Sequence, residues 1–446
     1  MFNKEIESIS AEKLKELQEY KFLNQVRYTY EHSAFYQRKF KEAGVAVEDI
    51  RSLEDIDKIP LTTKQELREA LLAQPPVLGS NQCASAEDLV RMHSSSGSTG
   101  RPTYVGLTRR DVQLWDESCA RAFWANGIRP DDIVAHCWNY SMFVGGLADH
   151  MGCEYLGATM VPIGIGNSKR LARMIQDLGI TAINATPSYI MYLAEVLKEE
   201  LGIDPKSTSL KKIVTGGEPG GAIPATRKLI QETWGATCRE LYGMVDIHPI
   251  IGAECEHQQG MHFLVSDLVY PELIDIDTGH KLEFKPGVRG EVIYTHLERF
   301  ANPVLRFKTH DIIEVLGTEC ECGRTSYRFK VVGRSDDMLI VKGVNVYPSA
   351  IEDVLRGMQE MSGHFAIKLL KEGVQQDEIQ LLAEYSSGHD GDLDEIKRKV
   401  EGTIAEVLLF RSNVELVPEN ALPRFEHKAK RVYHSYKGEE VPVNLG

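Results

Sequence analysis

Short apolar runs alternate with helical patterns between about residues 89 and 315, and this alternation restricts the fold more than any other feature. Such an order predicts an α/β architecture with mostly parallel sheets, since each parallel strand needs a long crossover connection. After about residue 265 the pattern becomes strand-rich and is divided by glycine-containing turns, which indicates an antiparallel or barrel-like subdomain. The apolar runs are residues 132–138, 158–164, 181–187 and 211–217.

A second domain is predicted from about Gly333 onward. There the order is strand, helix, two strands and another helix over about a hundred residues, which is the size of a small domain. We expect a large N-terminal domain at residues 1–333 and a small α+β domain at residues 334–446. Near the N-terminus, apolar residues at helical spacing predict an amphipathic segment that ends at Gly44. Its predicted apolar face consists of Leu14, Leu17, Tyr20, Leu23, Val26 and Tyr30.

Composition excludes several classes of partner. The net charge of −14 argues against a general nucleic-acid binder, because affinity for phosphate backbones needs a basic surface. No apolar run is long enough to span a bilayer, and the N-terminus lacks the apolar core of a secretory signal, so we expect a cytoplasmic protein without membrane contact. A homodimer remains open as an oligomeric state.

The segment from His93 to Pro102 is rich in serine, threonine and glycine. Glycine permits close approach of the backbone to an anion, and hydroxyl and N–H groups supply donors, so the segment is a candidate phosphate loop. It is not the P-loop of nucleotidases, because Arg101 and Pro102 replace the Lys-Ser/Thr that opens a helix there. The alternative is a flexible linker, but strand-like residues flank the segment on both sides. Its candidate phosphate-binding residues are Ser95, Ser96, Gly97, Ser98, Thr99 and Gly100.

Three of the eight cysteines suggest a metal site. Cys255 precedes two histidines, and Cys320 and Cys322 form a Cys-X-Cys-Gly turn. Three thiolates and one imidazole would make a closed tetrahedral site of the structural zinc type. His262 is the expected fourth ligand, with His257 as the alternative; reduced cysteines without a metal also remain open. The remaining cysteines are expected to be small buried hydrophobic residues, namely Cys83, Cys119, Cys137, Cys153 and Cys238.

An ordered set of segments across nearly the whole chain resembles the phenylacetate–CoA ligase family of the adenylate-forming enzymes. The set includes residues 95–103 and the segments TPSYIMYL, TGGEPGG, LYGMVD, RFKTHD, GRSDDMLIVKGVNVYP and LPRFEHKAKR. The resemblance implies an ATP-dependent, AMP-forming carboxylate–CoA ligase for phenylacetate or a related aromatic acid. In such an enzyme a carboxylate first attacks the α-phosphate of ATP, and CoA then displaces AMP from the acyl-adenylate.

The resemblance also implies roles for single residues around the nucleotide. Tyr242 would lie against adenine, Asp311 would bind the ribose hydroxyls, and Arg334 would lie near the ribose and phosphates as a catalytic residue. Lys428 would be the catalytic lysine that reaches the α-phosphate and the carboxylate. Asp246 would hold Mg²⁺. Further residues implied at the nucleotide are Gly217, Glu218, Pro219, Gly243 and Met244.

The resemblance places the acid and CoA as well. Gly343 would line the CoA tunnel, and Asp336 would be the hinge at which the small domain turns. The candidate acyl-pocket residues are Tyr140, Phe143, Asn184, Tyr189 and Gly216; for Tyr189 a core position is an equal alternative.

Three departures from the family pattern limit these expectations. Asp246 stands where the family has glutamate, after Val245 instead of Ser or Thr; His427 replaces the glycine before the lysine; and residues 138–146 are bulkier and more polar than usual. The acid therefore need not be phenylacetate. Two other functions stay open: adenylation with a non-CoA acceptor (an amine, a carrier thiol or a deazaflavin cofactor), and an ATP-binding relative without chemistry.

Overall fold

The computed structural model describes residues 1–73, 77–95, 102–336, 338–341, 344–373, 375–376, 378–387, 392–424 and 430–444. The chain forms two compact units. The first comprises Met1–Ala185, Thr208–Gly217 and Arg239–Lys330, and the second Thr186–Ser207, Glu218–Cys238 and Val331–Gly446. The α/β class is confirmed. The domain division at residues 333 and 334 stays a prediction.

The first unit combines helices with a hairpin and one large sheet. Its helices are α1 (Lys4–Glu7), α2 (Ala11–His32), α3 (Ala34–Ala43), α4 (Lys64–Ala73), α5 (Arg109–Ala125), α6 (Val144–Leu156) and α7 (Ser168–Asp177). Its strands are β1 (Leu89–Ser94), β2 (Tyr104–Thr108), β3 (Ile133–His136), β4 (Thr159–Val161), β5 (Ala182–Ala185), β6 (Lys212–Thr215), β7 (Thr237–Met244), β8 (His248–Glu254), β9 (Met261–Phe263), β10 (Val269–Ile274), β11 (Lys281–Leu282), β12 (Arg289–His296), β13 (Phe307–Gly317) and β14 (Arg328–Arg334). The first two residues of β7 and the last four of β14 belong to the second unit.

Strand pairing divides the large sheet into a parallel and an antiparallel part. Within the described residues its order is β11-β10-β12-β13-β14-β9-β8-β7-β6-β5-β3-β4. β3 is parallel to β4 and β5, and β5 is parallel to β6. The pairs β7–β8, β8–β9, β9–β14, β10–β12 and β12–β13 are antiparallel. The strand-rich part predicted after residue 265 therefore extends the same sheet that holds the parallel strands.

Local sequence signals explain where the central helix α5 begins and what it covers. Thr108 and Asp111 form a capping box, in which the Thr108 hydroxyl accepts from the Asp111 N–H at 3.2 Å and the Asp111 carboxylate accepts from the Thr108 N–H at 2.8 Å. The helix buries Cys119 and Phe123 in a core that also contains Cys153. All five cysteines expected to be buried are buried and free.

The second unit contains two helices from the middle of the chain and the C-terminal elements. Its helices are α8 (Pro187–Leu201), α9 (Pro224–Trp234), α10 (Pro348–Arg356) and α11 (Leu393–Leu408). Its strands are β15 (Leu339–Val341), β16 (Val344–Val346), β17 (Met361–Leu369), β18 (Gln375–Gln376), β19 (Ile379–Tyr385), β20 (Ser412–Val417) and β21 (Val432–His434). They form one sheet of order β20-β19-β17-β21 and another of order β16-β15-β18. Among the described residues of both units, no helix is long and apolar enough to cross a membrane.

Candidate active site

The site begins at the carboxyl ends of the parallel strands. His136 ends β3 beside Asn184 of β5, and Ala185 at the end of β5 lies beside Thr215 at the end of β6. In open α/β sheets, ligands bind at this edge, because the loops that leave adjacent strands face one crevice. The predicted acyl residues Tyr140, Asn184 and Gly216 lie at or just beyond these strand ends.

The hairpin of β1 and β2 holds the predicted phosphate loop by its stem. The N–H of Ser95 donates to the carbonyl of Thr103 at 3.0 Å, and the N–H of Thr103 donates to the Ser95 hydroxyl at 3.0 Å. Ser95 and Thr103 are both buried. The stem therefore fixes where the loop starts and ends. The other predicted loop residues, Ser96, Gly97, Ser98, Thr99 and Gly100, lie outside the described residues.

The loop stem is bonded to the carboxylate predicted to hold Mg²⁺. The Thr103 hydroxyl donates to Oδ1 of Asp246 at 2.8 Å. Oδ2 of Asp246 accepts from the ammonium group of Lys64 at 3.0 Å. The Asp246 side chain is only 5% exposed, so this carboxylate is held in place by two side chains from distant parts of the chain. Its Mg²⁺ role stays a prediction.

Tyr242 and Asp311 also come together in this unit. The Tyr242 hydroxyl donates to Oδ2 of Asp311 at 2.5 Å. Their strands, β7 and β13, are separated in the sheet order by β8, β9 and β14, and a flat sheet would hold such strands about 19 Å apart. The sheet therefore curls strongly here, as expected for a barrel-like part. Tyr242 ends up beside the residue predicted to bind ribose.

Two glycines predicted at the nucleotide have a structural reason of their own. A Cβ at Gly243 would lie 1.8 Å from the carbonyl oxygen of Pro249, so the β7–β8 hairpin admits no side chain there. Gly217 has φ = 78°, a left-handed conformation that glycine adopts without strain. Met244, the next residue of β7, pairs with His248. The close approach at Gly243 is thus required by the hairpin, whatever the ligand.

The predicted acyl region contains a chain of polar side chains. The Tyr140 hydroxyl lies 2.9 Å from Nδ1 of His150, and Nε2 of His150 lies 3.0 Å from Glu154. With the proton on Nε2, His150 donates to Glu154 and accepts from Tyr140. The phenol oxygen of Tyr140 is then oriented with its lone pairs free to accept from a ligand. Phe143, at the N-terminus of α6, is 39% exposed.

A second polar group lies behind Tyr140. His136 is fully buried, and its Nε2 lies 2.9 and 2.8 Å from the carbonyl oxygens of Gly145 and Gly146. Its other ring nitrogen lies 3.4 Å from the amide nitrogen of Asn184. Burial lowers the pKa of His136 to about 4. His136 is therefore neutral at pH 7 and fixes the start of α6 beneath the Tyr140 segment.

The acyl and phosphate segments are joined through Met142. Its carbonyl oxygen accepts from the N–H of Ser94 at 2.9 Å and lies 3.2 Å from Nδ1 of His93. The residue before the loop stem is thus bonded to the segment that follows Tyr140. Reacting groups bound by the two segments would be kept in register by these contacts.

In the second unit, the predicted residues that the structure describes fall into two groups. Glu218 accepts from the N–H of Ser188 at 2.9 Å, which ties the segment of Glu218 and Pro219 to the first turn of α8. Tyr189 in that turn is 2% exposed. Arg334 and Asp336 form a bidentate ion pair with two N–O distances of 2.8 Å. Lys428 and Gly343 lie outside the described residues.

The four predicted zinc ligands form one cluster. The ligand atoms of Cys255, His262, Cys320 and Cys322 all lie within 4.8 Å of one another. Sγ of Cys255 is 3.6 Å from Sγ of Cys320, and Sγ of Cys322 is 3.4 Å from Nε2 of His262. A tetrahedral zinc with bonds of about 2.3 Å separates sulfur ligands by about 3.7 Å, so the spacing fits. His257 is not in the cluster; its imidazole lies beside Glu256 and Glu321.

Four residues of this region did not follow from sequence reasoning. These residues are Lys64, Thr103, His136 and His150. A signal existed for Lys64, because a lysine in the first turn of a helix opposes the helix dipole and calls for a separate reason. None existed for His150, since its partner Tyr140 is ten residues away, in the segment between β3 and α6.

The chain is similar to known proteins over most of its length. The sequence profile of the AMP-binding enzyme family matches residues 13–296, and that of the AMP-binding enzyme C-terminal domain matches residues 343–435. A phenylacetate–coenzyme A ligase of Thermus thermophilus is 39% identical over 86% of this chain and 84% of its own length. One of Escherichia coli is 34% identical over 96% of each chain.

A crystal structure gives the same result for the fold. The 2-hydroxyisobutyryl-CoA ligase in the postadenylation state, in complex with R3-HIB-AMP, superimposes with a TM-score of 0.90 at 32% identity. The match covers 97% of this chain and 93% of that one. Both the family profile and these relatives span most of the chain. The protein therefore belongs to the AMP-binding enzyme family, within the group of phenylacetate–coenzyme A ligases.

Proposed function

We propose that the protein is an ATP-dependent, AMP-forming ligase that joins phenylacetate or a related aromatic carboxylic acid to coenzyme A. The observation that carries the proposal is the bond from Thr103 to Asp246 at 2.8 Å, which joins the stem of the predicted phosphate loop to the carboxylate predicted to hold Mg²⁺. Phosphoryl chemistry gathers negative charge, and it needs donors and a cation in one place. The second support is the pairing of Tyr242 with Asp311 in the same unit.

In this proposal, each nucleotide-binding residue contacts a different part of ATP. The loop that begins at Ser95 binds the β- and γ-phosphates, Tyr242 lies against adenine, and Asp311 binds the ribose hydroxyls. Mg²⁺ held by Asp246 would neutralise phosphate charge. Lys428 and Arg334 act at the α-phosphate, where the carboxylate attacks and pyrophosphate leaves.

The second half-reaction and the location are further parts of the proposal. Coenzyme A approaches along Gly343 after the C-terminal domain turns at Asp336, and its thiolate attacks the acyl carbonyl while AMP leaves. The domain boundary near Gly333, a cytoplasmic location, the absence of nucleic-acid and membrane partners, and the homodimer remain predictions. A structural zinc at Cys255, His262, Cys320 and Cys322 would hold the turn after β13 against β8 and β9.

The kind of carboxylic acid is proposed from the side chains around Tyr140 in the predicted acyl pocket. The Glu154–His150–Tyr140 chain orients the phenol oxygen as an acceptor, which favours an acid that carries a donor such as a hydroxyl group. Hydroxylated arylacetic acids carry such a donor. They also resemble phenylacetate, the acid in the names of the relatives. A hydroxy acid is also the substrate named for the 2-hydroxyisobutyryl-CoA ligase.

A screen of acids tests the function. Thioester formation and AMP release are measured with phenylacetate, 4-hydroxyphenylacetate, benzoate and 2-hydroxyisobutyrate, with and without CoA. We expect CoA-dependent AMP release with an arylacetic acid. Tyr140→Phe should lower kcat/KM for a hydroxylated acid about fivefold relative to its unsubstituted analogue, the value of one hydrogen bond.

The control is Tyr155→Phe, since Tyr155 is 56% exposed on the same helix that carries His150. It should leave both acids unaffected. The proposed function is wrong if no carboxylic acid supports pyrophosphate exchange. If exchange occurs but CoA does not accelerate AMP release, the acceptor is a different molecule and the CoA half of the proposal is wrong.

A further inference from the structure

Lys64 occupies a position where its charge is unfavourable for the helix that carries it. It is the first residue of α4, whose start is capped by Thr63 and Glu66: the Thr63 hydroxyl accepts from the Glu66 N–H at 3.2 Å, and the Glu66 carboxylate accepts from the Thr63 N–H at 2.7 Å. Helix N-termini carry partial positive charge and favour acidic residues, so a lysine there does not stabilise α4. Its position calls for a different explanation.

The explanation lies at Asp246. Oδ2 of that carboxylate accepts from Lys64, and Oδ1 accepts from Thr103. The two residues of the ion pair differ in exposure: the side chain of Asp246 is 5% exposed and that of Lys64 is 33% exposed. Asp246 is therefore fixed in the protein, whereas the ammonium group stays in contact with water and is accessible to an anionic ligand.

The balance of charges predicts that the ammonium group of Lys64 moves from Asp246 to the phosphates when ATP binds. The triphosphate of ATP and the Asp246 carboxylate repel each other unless cations lie between them. A magnesium ion bound by Asp246 would displace the ammonium group of Lys64 from Oδ2. Lysine has three donors on a flexible stem and is suited to bind phosphate oxygens as a point charge. The stem of the phosphate loop, Thr103, is bonded to the other oxygen of the same carboxylate.

We propose that Lys64 is a phosphate-binding residue of the ATP site: it pairs with Asp246 when ATP is absent and binds the β- and γ-phosphates when ATP is present. This inference rests on the proposed function, because it uses the assignment of the loop at residues 95–103 to phosphates. It adds to that function a cation from the first turn of α4. The same ammonium would then stabilise the leaving pyrophosphate.

ATP binding to the full-length protein in EDTA, measured by calorimetry without acid or CoA, tests the proposal. Lys64→Met should weaken binding about tenfold or more, as expected for the loss of a charged hydrogen bond, and Lys64→Arg should retain most of the affinity. Lys58→Met is the matched control, because Lys58 pairs with Asp55 at 2.7 Å and is 49% exposed. Thermal unfolding of each variant checks that it is folded.

A double-substitution cycle separates phosphate binding from simple neutralisation of Asp246. If Lys64 binds phosphate, Lys64→Met in an Asp246→Asn background should still weaken ATP binding about tenfold. The proposal is overturned if the Asp246→Asn variant and the variant that combines Asp246→Asn with Lys64→Met bind ATP equally. It is also overturned if Lys64→Met alone has no effect on ATP binding in EDTA. Because no acid is present, a protein that binds ATP in this way but activates no acid would contradict only the proposed function.

Discussion

The phenol of Tyr242 donates a 2.5 Å hydrogen bond to Asp311, 69 residues later in the chain. Both side chains were predicted to contact the nucleoside, one at adenine and one at ribose. Their direct bond means that Tyr242 also orients the carboxylate that would accept the ribose hydroxyls. Buried at 6% exposure, Asp311 cannot reorient freely.

Tyr242→Phe should therefore raise the KM for ATP about tenfold through the loss of a hydrogen bond to a charged group, while the ring remains to stack on adenine. Steady-state kinetics with varied ATP at saturating acid and CoA measure the effect. The KM for CoA should stay unchanged. An unchanged KM for ATP would show that Asp311 keeps its orientation without the phenol.

The cysteine cluster predicts one zinc ion per chain, measured by elemental analysis of the purified protein. His262→Ala and Cys322→Ser should each lower the zinc content and the midpoint of thermal unfolding, because the metal links β8, β9 and the turn after β13. His257→Ala is the matched control from the same segment and should retain the metal, since its imidazole lies outside the cluster. Zinc-free protein that takes up none on reconstitution would contradict the site.

His136 makes stability depend on pH. Burial lowers its pKa to about 4, with a smaller contribution from the neighbouring His150. The unfolded chain, with an ordinary pKa of about 6.5, binds a proton on this residue before the folded chain does. The stabilisation by neutral His136 is thus fully present above pH 6.5 and is lost as pH falls toward 4, at about 1.4 kcal/mol per pH unit.

His136→Gln should remove that slope, so the free energy of unfolding should fall less steeply between pH 6.5 and pH 4. Urea unfolding at a series of pH values measures it. His280→Gln is the control, because His280 is exposed and its loss should leave the slope as it is. An identical slope in the His136 variant would show that other groups account for the acid sensitivity.

The first long helix shows where sequence patterns stop being sufficient. The apolar face predicted for α2 included Tyr20, which is 69% exposed, while Phe22 is fully buried. Gln18 and Gln25 are buried instead, because their amides donate to the carbonyl oxygens of Ser266 and Arg299 at 2.7 and 2.9 Å. A polar side chain is stable in the core only when it has a hydrogen-bond partner there. The partners of Gln18 and Gln25 lie more than 240 residues away in the sequence.

The sequence by itself determined the α/β class, the helices α10 and α11 with the strands β17 and β19, and the buried cysteines. Through family resemblance it also predicted the nucleotide residues, whose roles stay predictions. These features depend on local periodicity and on motifs that can be recognised in the sequence in a fixed order. The tertiary structure decided which of those residues meet. Lys64, Thr103 and Asp246 form one ion-paired cluster, and Tyr140 acquires its orientation from His150, because the strand order and the curl of the sheet bring distant segments together. Contacts of that kind follow from the packing of the whole chain and leave no periodic signal in it.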